Sequence, residues 1–71
     1  MWVMNLKVLV ARRQRAMTQA ELADKVGCQR EDIGKIETHG WVPPTDIQEK
    51  IAAALRVERT DIFGPGSEMS A

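Results

Sequence analysis

Cysteine is almost missing from this chain: Cys28 is the one thiol in 71 residues. No internal disulfide can form, so the small, disulfide-stapled secreted class does not fit and a cytoplasmic setting is expected. One cysteine and one histidine cannot supply the four ligands of a zinc site, and no metal or other cofactor is expected. Aromatic residues make up 4% of the chain and tyrosine is absent, which, with plentiful Ala, Leu, Ile, Val, Lys, Arg and Glu, favours helices. Long apolar runs are lacking as well. The most apolar stretch, Met1–Val10 (MWVMNLKVLV), is far short of the roughly 18–20 residues of a membrane span. It runs into Arg12, Arg13 and Arg15 without a small-residue cleavage site, so it does not read as a signal peptide, and no membrane partner is expected. Net charge is the last absence. Ten basic and ten acidic residues cancel, which is awkward for any protein that must neutralise phosphates.

What remains is 44% hydrophobic residues in one small domain, enough for a single core of modest stability. The punctuation divides the chain into five short helices, an all-α bundle. Val3, Leu6, Leu9 and Val10 predict an apolar stripe on a first helix from about Met4 to Arg15. Thr18-Gln19-Ala20-Glu21 is a T-x-x-E capping box, which opens a second helix at Gln19 with Leu22, Ala23 and Val26 on its buried face. Gly27 ends it, and a third helix anchored by Ile33 and Ile36 ends at Gly40 before Pro43 and Pro44. Thr45-Asp46-Ile47-Gln48 predicts another capping box, opening a fourth helix with Ile47, Ile51, Ala54 and Leu55 on one face. Val57 to Phe63 reads as a short fifth helix stopped by Gly64, with Ile62 and Phe63 turned inward. The domain spans 1–63, and 64–71 is expected to be a disordered tail.

The segment around Gly27 carries the functional signal. Two short helices that cross at a sharp angle need a turn of three or four residues and a small residue at the crossing. Here Ala23 lies four residues before Gly27 and Ile33 six after it. Leu22, Val26, Cys28, Ile33 and Ile36 complete the core that the two helices share, a helix-turn-helix at 18–37. Because Ile33 and Ile36 face inward, Arg30, Glu31, Gly34 and Lys35 are predicted to face out. That stripe has the chemistry for reading base edges: Arg30 for guanine, Glu31 for cytosine N4, Lys35 for guanine or phosphate.

Met17–Glu37, MTQAELADKVGCQREDIGKIE, resembles the helix-turn-helix of the Cro/C1-type family, the phage repressor and xenobiotic-response-element regulators. The likeness continues through Pro43, IAAALRV and DIF and covers about residues 4–63. The resemblance implies a lambda-repressor-like fold of five short helices, the third in the major groove of double-stranded operator DNA, and a homodimer. It further implies DNA-binding positions at Gln19, Gln29, Arg30, Glu31, Gly34 and Lys35. Gln19 matches a family glutamine that contacts a phosphate and braces the recognition helix.

Arg12, Arg13, Arg15, Thr18 and His39 are candidate phosphate contacts, although the arginines read equally well as a solvated helix end and His39 reads better as a polar loop residue. Three features depart from the family pattern. Gln29 stands where Ser or Thr is the usual cap of the third helix, a weaker choice that Glu31 and Asp32 are positioned to compensate. Both acids approach phosphates, and a like-charge pair at about 6 Å costs roughly 1 kcal/mol in water and about 3 at an effective dielectric of 20. Thr38-His39-Gly40-Trp41-Val42 lacks the basic residues that follow the third helix in the family. Trp41 is predicted to cover the core rather than lie on DNA, and Cys28 to be a small core residue rather than a redox sensor.

These features predict a sequence-specific DNA-binding transcriptional regulator without a small-molecule ligand. The rival is a protein-binding module on the same fold, such as an antirepressor, antitoxin subunit or assembly adaptor, favoured by the zero net charge and the acidic third helix. An enzyme is not expected, since no acid–base pair, nucleophile–base arrangement or phosphate loop is present. Trp2, Val3 and the region of the fourth and fifth helices are the candidate dimer interface.

Overall fold

Helices are the only regular elements among residues 4–64, the part of the chain that the computed structural model describes. They are α1 (Leu6–Gln14), α2 (Gln19–Val26), α3 (Arg30–His39), α4 (Thr45–Leu55) and α5 (Arg59–Phe63). Trp2 and Val3 of the candidate interface, and residues 65–71 of the expected tail, lie outside the described residues.

The start and end of α2 follow the local chemistry. Thr18 accepts the Glu21 N–H at 3.0 Å while the Glu21 carboxylate accepts the Thr18 N–H at 2.8 Å, so the capping box satisfies two otherwise orphaned donors. Gly27 then takes a left-handed conformation, φ 85°, and the chain re-enters a helix at Arg30. Leu22, Ala23 and Val26 of α2 meet Ile33 and Ile36 of α3, and Ile51, Ala52 and Leu55 of α4 complete the centre of the core. Ile62 of α5 and Val8 and Ala11 of α1 close it. Cys28, Met17, Ile47, Ala54, Val57 and Phe63 are partly buried against its edge. Over the described residues the chain is therefore an all-α bundle of five short helices, as the periodicity predicts.

The first helix corrects the reading of its apolar stripe. Leu6 and Val10 are 54% and 49% exposed, whereas Val8, Ala11 and Arg12 turn inward. Two overlapping i, i+3, i+4 stripes exist in LKVLVARRQ, and the wholly apolar one loses. The winning stripe carries Arg12, whose guanidinium finds a carboxylate in the interior. Asn5 then ties the start of α1 to two other elements. Its N–H donates to the Glu37 carbonyl at 3.1 Å, its side-chain amide donates to the Ile62 carbonyl at 2.8 Å, and its Oδ1 accepts the Val8 N–H at 3.1 Å.

The second predicted capping box does not form. Pro44 is the N-cap of α4, Thr45 is already helical, and Gln48 is buried. The Gln48 amide donates to the Pro43 carbonyl at 2.8 Å, and its oxygen accepts from Arg59 at 3.0 Å. Gln48 is thus a buried tie between the α3–α4 loop and α5. The last helix starts at Arg59 rather than Val57, because Arg56 takes the left-handed conformation, φ 57°, that ends α4.

Candidate nucleic-acid interface

The third helix is held from its inner side and left open on its outer side. Ile33, Ile36 and Glu37 are its buried residues. Glu37, 1% exposed, is the hub of a polar cluster within the core. Arg12 grips it with two bonds, Nε to Oε2 at 2.7 Å and Nη2 to Oε1 at 3.0 Å, and donates through Nη1 to the Met17 carbonyl at 2.7 Å. Gln19 adds a fourth bond, Nε2 to Glu37 Oε1 at 3.1 Å. One carboxylate on α3 therefore receives donors from α1 and from the first residue of α2, which sets the rotation of α3 about its own axis. Bonding to Glu37 holds the Arg12 guanidinium above its ordinary pKa, and burial works in the opposite direction.

This geometry removes Arg12 from the candidate phosphate contacts, since a guanidinium with three donors spent inside the domain cannot reach a phosphate. Gln19 in turn ties the first residue of α2 to α3. Arg13 stays exposed, and Arg15 donates from Nε to the Leu55 carbonyl at 2.8 Å, satisfying the end of α4. Glu37 itself was missed in the sequence, although its position gives a signal. It lies one residue after Ile36 and four after Ile33, a charge on an apolar stripe, and such a charge requires a buried partner.

The outer face of α3 presents Arg30, Glu31, Lys35 and Thr38, all exposed, with Gly34 half-buried beside them. Arg30 and Glu31 form only a loose pair, Nη2 to Oε2 at 3.9 Å, with side chains 59% and 69% exposed. A pair that open is screened and leaves both groups available to another partner. Space around Gly34 is free, with no atom within 4 Å of where a Cβ would stand, so its small size is not demanded by the domain's own packing. At the start of α3 the Gln29 N–H donates to the Asp32 carboxylate at 3.2 Å. Asp32 is therefore the acid that compensates for the weak cap, and Glu31 remains on the open face.

The far end of α3 turns back at Gly40, φ 68°. Trp41 donates its N–H to the Lys35 carbonyl at 3.2 Å, and Lys35 Nζ lies 5.6 Å from the centre of the indole ring. Trp41 is 40% exposed and is not among the residues packed on the core, which corrects the expectation that it covers the core. Gly40 directs the chain away from the core there, and the indole rests against the α3 surface. Thr38 donates to the Gly34 carbonyl at 2.6 Å, and its Oγ1 lies 3.0 Å from Nδ1 of the exposed His39. Thr18, also exposed, stands at the cap of α2 beside Gln19.

Cys28 is half-buried, and its thiol is pushed up in pKa by burial and by the nearby Asp32 carboxylate. A thiol held protonated is a poor nucleophile. No group of three or more His, Cys, Asp or Glu residues placed to hold a metal ion occurs among the described residues, and no helix there is long and apolar enough to cross a membrane. No known protein-family model matches the chain, and no curated protein is significantly similar to it.

Proposed function

We infer that this protein is a sequence-specific DNA-binding transcriptional regulator, a Cro- or repressor-like helix-turn-helix protein that lays α3 in the major groove of a double-stranded operator. The observation that carries this reading is the division of α3 into two faces. Ile33, Ile36 and the clamped Glu37 lock its inner side, while Arg30, Glu31 and Lys35 stand exposed on its outer side. A rigid helix that displays a guanidinium, a carboxylate and an ammonium within two turns has donors and acceptors matched to base edges. Thr18, Gln19 and Gln29, at the starts of α2 and α3, are further candidate phosphate or base contacts, with His39 at the far end of α3 and the exposed Arg13 and Arg15 at the end of α1. A homodimer on a two-fold operator follows from the short reach of one such helix, which covers only a few base pairs.

One observation favours the rival protein-binding module: Glu31, on the open face, faces approaching phosphates with a charge of the wrong sign. The two readings separate in fluorescence anisotropy titrations against the DNA upstream of the protein's own gene and against unrelated DNA. A DNA reader loses about 1–3 kcal/mol of operator affinity in Arg30→Ala, with relaxed preference at one base position. Glu31→Gln raises affinity for unrelated DNA and lowers discrimination at one cytosine. Equal, negligible binding of operator and unrelated DNA by the wild-type chain would transfer the reading to the protein-binding module.

A further inference from the structure

Between α1 and α5 the surface forms a groove whose floor is apolar, lined by Leu6, Val10, Val57 and Ile62, with Lys7 on its α1 side and Asp61 on its α5 side. Leu6 and Val10 are two of the five large apolar side chains that the described residues expose, and Met4, a third, lies beside Leu6 at the end of the same helix. Neither Lys7 nor Asp61 uses its side chain in an ion pair or hydrogen bond among the described residues. We propose that this groove receives a second copy of the same chain about a two-fold axis, α1 against α1, with Lys7 of each copy meeting Asp61 of the other.

Charge pattern selects this occupant. A two-fold contact brings a patch against a rotated copy of itself, so a patch of one sign repels its mate, while a patch with an apolar centre and one unlike charge on each side attracts it. Nucleic acid and anionic lipid require net positive surface, and this groove is formally neutral. None of its lining residues belongs to α3, so self-association leaves Arg30, Glu31 and Lys35 open. The inference rests on the homodimer proposed above and specifies its surface, on α1 and α5 rather than on Trp2, Val3 and the region of α4 and α5.

Sedimentation equilibrium of the full chain without DNA tests it. The weight-average mass is expected to rise from 8.0 kDa toward twice that value between micromolar and near-millimolar concentration. Val10→Asp should weaken association at least about tenfold, with circular dichroism reporting that the helices remain. The decisive arm uses surface charge alone. Lys7→Glu and Asp61→Lys should each associate more weakly than wild type, because each now opposes like charges. An equimolar mixture of the two should associate at least as well as wild type, because every contact is again between unlike charges. A wild-type chain that stays monomeric overturns the proposal, and so does a mixture no tighter than its components. Arg30→Ala operator binding is read separately, so loss of the dimer face and loss of the DNA-reading face give different patterns.

Discussion

Two glycines in the α2–α3 segment do opposite work. Gly27 and Gly34 both have open space where a Cβ would stand, but only Gly27 has a positive φ, 85°. Gly27→Ala forces an L-residue into the left-handed region and should cost about 1–2 kcal/mol. Gly34→Ala removes backbone freedom from the unfolded chain at a helical position and should stabilise by about 0.5–1 kcal/mol. Urea denaturation of the two variants checks the signs, and equal signs would contradict the backbone assignment. Arg12 and Glu37 give a larger effect. Removing one partner strands the other inside the core and should cost about 3–5 kcal/mol, close to the whole stability of a small domain. Arg12→Met with Glu37→Met should lose clearly less than the sum of the single losses, as a denaturation cycle would show. At this scale the sequence was legible wherever a residue acts on backbone within a few positions of itself, as at Thr18 and Gly27. It was not legible at Arg12, whose partner lies 25 residues away.

Element by element, the best-read part is α2 with its turn, because every determinant lies within ten residues: the Thr18–Glu21 box, the small Ala23 and the stop at Gly27. Ala23 is 3% exposed at the packing of α2 on α3. Ala23→Glu puts an unpaired charge and added bulk there, and several kcal/mol of stability should be lost. Thermal melting followed by circular dichroism should show the variant largely unfolded; a wild-type transition would refute the placement of this crossing. The first and fourth helices were read less well. Hydrophobic periodicity alone cannot choose between two overlapping stripes, and in α1 the choice fell to the one containing a charged residue. In α4, Thr45 and Gln48 have the spacing of a capping box, yet the Pro43 carbonyl and Arg59 offered the Gln48 side chain buried partners that a local cap does not.

For the molecule as a whole, charge is balanced in number and uneven in use. Glu37 consumes Arg12 inside the core, and Asp32 is engaged at the start of α3. Arg30 and Lys35 are the two Lys or Arg side chains on the exposed face of α3, so operator affinity is expected to fall only gently with salt, each phosphate contact adding about −0.9 to the slope of log K against log salt. Lys35→Ala should weaken binding to operator and unrelated DNA alike and reduce that slope by about 1 if its contact is to phosphate. Anisotropy titrations over a salt series measure both, and an unchanged slope would assign Lys35 to a base or to Trp41.

The sequence by itself determined the number of helices, the caps and turn of α2, the inward side of α3 and hence which of its residues remain outside. These depend on backbone preference and on a 3.6-residue period, both expressed within a few residues. Only the tertiary structure decided that Arg12 belongs to the core rather than to a phosphate strip, that Gln19 braces Glu37, that Trp41 lies against Lys35, and that Leu6 and Val10 face outward. Each of those outcomes rests on a contact between distant segments: a buried charge turns toward whichever partner the packed helices bring within reach, and the apolar residues on the opposite side of its helix are left to solvent or to a second chain.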